Sequence, residues 1–149
     1  MNRAIENGYF ISDDWDRIDW ERVTRWLAGT YWSPGIGREE VERGAKNSSL
    51  VVGAYTADGK QAGYARIASD KTRFAYFMDV FVEETHRKKG LAQGMIRFIM
   101  EHPDHRDVYL WLLATHDAQD VYRKVGFGTL KHPDRWMVIN QGRPGGPPP

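Results

Sequence analysis

The chain has no cysteine among its 149 residues. That excludes disulfide staples, thiolate nucleophiles and cysteine-held zinc. It agrees with a reducing compartment without demanding one. The five histidines do not fall at a metal-ligand spacing, so no metal is expected. Neither sign of charge is in excess: the formal net charge is +1. With no basic stripe and no RNA-binding aromatic motif, nothing points to nucleic acid. No apolar run approaches transmembrane length, and "MNRAIENGYFISDDW" lacks the apolar centre of a secretory signal. The expectation is a soluble, cytoplasmic protein with no nucleic-acid and no membrane partner.

What is present suits one domain with a real core. Only the C-terminus is compositionally biased. "QGRPGGPPP" has too much Pro and Gly to pack. The expected organisation is therefore a single domain over residues 1–140 and a disordered tail over 141–149.

Periodicity supplies the elements. "GYFIS" reads as a short strand. Trp20, Val23 and Leu27 recur at helical spacing behind Asp19, a candidate N-cap. "YWSPGIG" is a loop and "REEVERGAKN" a charged helix. "SLVVGAYT" and "QAGYARIAS" are strands around an Asp58-Gly59 hairpin turn. "RFAYFMDVFV" is a long strand. Leu91, Met95, Phe98 and Ile99 then make an apolar helical stripe that stops near His102-Pro103. "VYLWLLA" is a continuous apolar run, as expected of a strand covered on both faces. Ala118, Val121, Tyr122 and Val125 form another stripe, closed by Gly126, and "RWMVI" reads as a last strand. The order is β-α-α-β-β-β-α-β-α-β, a mixed sheet with helices on its faces.

The most informative stretch is "DVFVEETHRKKGLAQGMIRFIM". Cations gather where a strand hands over to a helix, beside Gly90 and Ala92, which add almost no side-chain bulk. The backbone amides of 87–92 can then turn toward one point. The first helical amides have no intrahelical partner, and the helix dipole adds positive charge there. Such a turn suits a phosphate or pyrophosphate; the alternative is a solvated helix start.

This stretch resembles the acyl-CoA signature of the GNAT N-acetyltransferase superfamily, Arg/Gln-x-x-Gly-x-Gly/Ala after the fourth strand, matched by Arg87, Gly90 and Ala92. "THDAQDVYRKVGF" is similar to a second family segment, N-x-x-A-x-x-x-Y-x-x-x-G-F, matched by Ala118, Tyr122, Gly126 and Phe127, with Thr115 where Asn is common. The resemblance covers roughly residues 9–139. It implies an α/β (α+β) fold: a mixed, mostly antiparallel sheet flanked by helices, in the order read above.

The resemblance also implies an activity and a site. Acetyl-CoA would be the acetyl donor, moved to a primary amine by direct attack in a ternary complex. Its pyrophosphate would rest on the turn Arg87, Lys88, Lys89, Gly90, Leu91 and Ala92. Its pantetheine arm would pair like a strand with Val80, Phe81 and Val82. Thr115 leaves one side-chain contact to the arm unsettled. Tyr122 matches the tyrosine that protonates the leaving thiolate; read from the stripe alone, it is a core tyrosine. The family Glu on the fourth strand is replaced by Tyr76. Asp79, which strict alternation puts on one face with Phe77 and Phe81, is either the general base or a structural carboxylate bonded to backbone or to an Arg. Glu83, Glu84 and His86 read as solvated, and His116 is a further proton relay candidate. Tyr31 and Trp32, with Trp20 and Trp26 nearby, would form an amine-binding wall or pack as ordinary core aromatics. A small-molecule or protein amine is the expected acceptor, and a homodimer is among the expectations because family members often dimerise. The alternative to an enzyme is a non-catalytic acyl-CoA-binding or sensing module of the same fold.

Overall fold

The computed structural model describes residues 1–148. Six strands form one sheet in the order β1-β2-β3-β4-β5-β6: β1 (Asn2–Ala4), β2 (Phe10–Ser12), β3 (Leu50–Tyr55), β4 (Gln61–Ser69), β5 (Phe74–Val82) and β6 (Leu110–Leu112). All neighbours are antiparallel except β5 and β6. The helices are α1 (Trp20–Ala28), α2 (Arg38–Lys46), α3 (Leu91–Met100) and α4 (Gln119–Arg123).

Each face of the sheet has its own apolar cluster. On one, α1 and α2 pack Val23, Leu27, Val41 and Ala45 against Val51 and Tyr64. On the other, α3 buries Leu91, Met95, Ile96, Phe98 and Ile99 against Val52, Ile67 and Phe77. Each large side chain so buried contributes roughly 1.5–3 kcal/mol. α1 starts where Asp19 accepts from the Arg22 amide at 2.9 Å, as its N-cap position requires.

Four sequence expectations change. A strand forms at Asn2–Ala4, pairing with β2, where none was read. "RWMVI" does not form a strand: Met137, Val138 and Ile139 are 97%, 85% and 89% exposed. The run "VYLWLLA" contributes only three strand residues, and Tyr109 is 70% exposed. β6 ends the sheet, so it is not covered as a central strand would be. Finally, Phe77 and Phe81 lie on opposite faces, one in each apolar cluster. The cause is a bulge: Tyr64 faces Phe81 and Arg66 faces Met78, so Asp79 and Val80 together oppose Ala65. Asp79 takes φ 54, a left-handed conformation that Asp tolerates better than most residues.

In the C-terminal region, Arg143 donates to the Pro34 carbonyl at 2.7 Å and pairs with Glu40 at 3.1 Å.

Candidate active site

β5 and β6 run together only from Phe74 to Tyr76, opposite Leu110 to Leu112. Beyond that, β5 stays bonded to β4 as far as Val82 and no longer pairs with β6. The two strands part, and a cleft of about 1590 Å³ opens between them. It is larger than an ordinary small-molecule site of roughly 300–1,000 Å³. Every site residue expected from the sequence lines it: Asp79 and Val80 to Val82 on one wall, Arg87 to Ala92 at its floor, Thr115 and Tyr122 on the other wall, Tyr31 and Trp32 at the rim.

The floor is the turn into α3. Gly90 is its N-cap, with φ 79, and a side chain there would point into open space. Lys88 is also left-handed, φ 61. Among the described residues the amides of Lys88, Lys89 and Gly90 have no intramolecular acceptor. Those of Leu91, Ala92 and Gln93 belong to the unpaired first turn of the helix. The Arg87 amide is different from what was expected: it donates back to the Glu84 carbonyl at 3.3 Å. The amides left without an intrachain acceptor are therefore those of 88–93. The Arg87 guanidinium lies over Phe81, 5.7 Å from its ring centre, and donates to the Val82 carbonyl at 3.0 Å.

On the opposite wall, Tyr122 is carried by α4. Its ring packs edge-on to Phe127 and joins the α3-side cluster. Burial, with smaller contributions from Tyr31 and Asp117, pushes its phenol up to about 12. The hydroxyl is thus held protonated well above neutral pH. Thr115 acts locally. Its hydroxyl accepts from the Ala118 amide at 3.2 Å, fastening the start of α4.

The rim is a rigid loop. Thr30 and Ser33 both donate to the Leu27 carbonyl, at 2.7 and 2.8 Å, and Gly35 bonds back to Ala28. This holds Tyr31 and Trp32 out over the cleft. Tyr31 packs on His116, ring centres 3.7 Å apart. The Trp32 indole donates to Asp79 Oδ1 at 2.9 Å, and Arg66 Nε donates to Asp79 Oδ2 at 2.6 Å. Both carboxylate oxygens are occupied, one by an ion pair whose side chains are largely buried.

Two expectations about aromatics and charges do not hold. Trp20 is no part of the rim; it is buried against Trp15 and Tyr64 in the α1-side cluster. His86 is not solvated: its side chain is 16% exposed, bonded to Tyr9 and paired with Glu83. Trp26 does reach the neighbourhood, stacked on Phe81 at 5.3 Å. Sequence reasoning missed Arg66 and Tyr9. Arg66 sits within β4 and Tyr9 just before β2, where nothing local distinguishes them.

A parted parallel strand pair above a glycine-opened helix start is a feature that can be compared between proteins. The sequence profile of the Acetyltransferase (GNAT) family matches residues 11–127. The chain belongs to the GNAT family. A Xanthomonas campestris pv. campestris protein assigned to the GNAT family is 33% identical, with TM-score 0.82 over 89% of this chain and 92% of that one. A predicted acetyltransferase from Clostridium acetobutylicum, solved with acetyl-CoA, shares the fold at 20% identity and TM-score 0.64, covering 95% and 97%. Glucosamine-6-phosphate N-acetyltransferase from Arabidopsis thaliana does so at 17% identity and TM-score 0.62, covering 89% and 97%. No curated protein matches the chain. General acetyl transfer is the chemistry of the family to which the chain belongs, and the mixed, mostly antiparallel sheet flanked by helices is the fold it shares with these structures.

Proposed function

We propose that this GNAT chain is an N-acetyltransferase that moves an acetyl group from acetyl-CoA to a primary amine, by direct attack in a ternary complex. The observation that carries the reading is the pairing of two features across one cleft. An open sheet edge runs down to unpartnered amides, and a half-buried, protonated tyrosine faces it. A sensing module needs the first feature and has no use for the second.

When bound, acetyl-CoA supplies a thioester carbonyl for the amine to attack and a sulfur that leaves as thiolate. The amides of 88–93, the α3 dipole and nearby Lys88 suit the pyrophosphate. The free edge of β5 from Val80 to Val82 suits the amides of the pantetheine arm. An unpaired N–H there also suits the developing oxyanion. Arg87 must release the Val82 carbonyl if the arm takes that position. Tyr122 gives its phenolic proton to the thiolate, for which a group still protonated far above pH 7 is suited.

Of the two roles open to Asp79, the structural one has the better support. Asp79 accepts from Arg66 at one oxygen and from Trp32 at the other, a pattern that suits a carboxylate tying elements together. It fixes the bulge between β4 and β5. The amine then passes its proton to water at the open rim. Tyr31 and Trp32 frame the acceptor entrance, where their rings suit an amine through cation–π contact.

The test is a panel of small and peptide amines with saturating acetyl-CoA, followed by thiol release and by a mass gain of one acetyl group on the amine. Turnover on any amine supports the reading. Tight CoA binding with no turnover across the panel selects the sensing module instead.

A further inference from the structure

The turn at the floor of the cleft is itself held from below. Lys89 sits between two left-handed residues, Lys88 at φ 61 and Gly90 at φ 79. A lysine keeps that conformation only where its surroundings impose it. The Lys89 ammonium is drawn back to Tyr9, donating to its hydroxyl at 3.2 Å and lying 5.7 Å from its ring centre. The Tyr9 hydroxyl is 2.8 Å from His86 Nδ1. His86 Nε2 is 3.4 Å from Glu83 Oε2. Arg22 of α1 closes the far end, 3.5 Å from Glu83 Oε1.

One arrangement of protons satisfies all of these contacts. Lys89 donates to the Tyr9 oxygen and Tyr9 donates to His86 Nδ1, which leaves the His86 Nε2–H facing the Glu83 carboxylate. Tyr9 is buried and His86 largely so, so the middle of the chain is sheltered while Lys89 at its end is exposed. It joins Tyr9, just before β2, to the turn across 77 and 80 sequence positions. Nothing in the proposed chemistry uses it.

We propose that Tyr9 and His86 are positioning residues for the phosphate-binding turn. Tyr9 lies outside the lining of the cleft, and His86 borders it beside the turn. They anchor Lys89, which keeps Lys88 and Gly90 on either side of it in the left-handed conformations that aim the amides of 88–93 at one anion. Lys89 is then a fastener of the turn rather than a direct phosphate partner. The inference rests on CoA being the ligand of the cleft.

Tyr9→Phe keeps the packed ring and deletes the hydroxyl. The Kd for CoA, measured by calorimetry, is expected to rise about fivefold to tenfold, the effect of one hydrogen bond. The KM for acetyl-CoA should follow, with kcat changed less than twofold. S-acetylpantetheine, which lacks the nucleotide phosphates, should be used as well by the variant as by the parent. In a Lys89→Met background, Tyr9→Phe should add less than twofold, because the two act through one contact. His86→Gln should raise the CoA Kd in the same sense and serves if Tyr9→Phe does not fold. A folded Tyr9→Phe protein with unchanged CoA affinity overturns the proposal while leaving the proposed function standing. Equal losses with acetyl-CoA and S-acetylpantetheine overturn it too, since they mark a general packing role. A parent protein that does not bind CoA overturns both.

Discussion

The two walls of the cleft are built to different standards. On the β5–α3 side, a nine-residue strand backs a ten-residue helix that buries five large apolar side chains. On the β6–α4 side, a three-residue strand leads to a five-residue helix with no fully buried residue. The first wall carries what would hold the donor: the amides of 88–93 and the free edge of β5. The second carries the group proposed to act last, Tyr122. Binding many phosphate and amide contacts at once needs a fixed surface. Donating one proton to a departing sulfur needs one group, held by burial, and tolerates a lighter frame.

The largest effect should follow from damage to the heavy wall. Gly90→Glu puts a carboxylate where an anion is expected and a side chain into a left-handed position. CoA binding should fall by more than ~10²-fold, because several charge-assisted hydrogen bonds to phosphate fail together. Gly90→Asn sharpens the point, because Asn tolerates positive φ and carries no charge; it should retain most of the affinity. Thermal shift with CoA reads both. If Gly90→Glu still melts higher with CoA, the turn is not the phosphate site.

On the light wall, Tyr122→Phe should lower kcat by roughly 10²-fold, the usual size for a lost general acid, with CoA affinity little changed. The pH dependence follows from the raised phenol. A phenol lifted from 10 to about 12 in the folded protein stays protonated in the native state as pH rises through 10. The rate should therefore show no loss from this group until well above pH 10. The stability it contributes is complete below pH 10 and is lost as pH rises toward 12. A kcat limb near pH 8–9 that Tyr122→Phe removes would contradict the assignment.

Asp79 stands where the walls part. Asp79→Asn keeps a side chain that accepts positive φ and can still meet Trp32, but leaves the Arg66 charge without its counter-ion. Removing one partner of a buried pair costs about 3 kcal/mol, or a Tm lower by roughly 6–12 °C for a chain of this size. The kcat/KM profile of the surviving rate should keep its acidic limb. Loss of that limb with an unchanged Tm would make Asp79 the base.

The same contrast explains what the sequence made legible. The α3 turn could be read because its signals are adjacent: Gly90 and Ala92 beside cations, followed by an apolar stripe. The placement of Tyr122 rested on a local spacing as well. The bulge was not legible, because an Asp with positive φ looks like any strand Asp, and one extra residue reverses the faces of Phe77 and Phe81. The Tyr9–His86–Lys89 chain joins positions too distant for any window to link. "RWMVI" has the composition of a strand, but a strand also needs a paired edge. Residues 135–139 do not bond to β6, so composition alone misled.

The smallest expected effect lies at the rim, where the Tyr31–Trp32 loop reaches from α1 toward both walls. Trp32→Phe keeps an aromatic ring and deletes only the indole N–H that meets Asp79 Oδ1 at 2.9 Å. The bond sits at a partly exposed position, so its loss should cost about 1 kcal/mol or less. Asp79 keeps Arg66, so the bulge and the donor surface should stand. The loop, however, loses its tie to β5 while keeping the tie of Tyr31 to His116. If the rim frames the acceptor, the KM for the amine should rise about threefold, with the KM for acetyl-CoA and the Tm nearly unchanged. Paired titrations of amine and acetyl-CoA on the two proteins measure this split. Should the acetyl-CoA KM move as far as the amine KM, Trp32 would belong to the donor's wall, and the acceptor entrance would have to be sought on the far side of Tyr31.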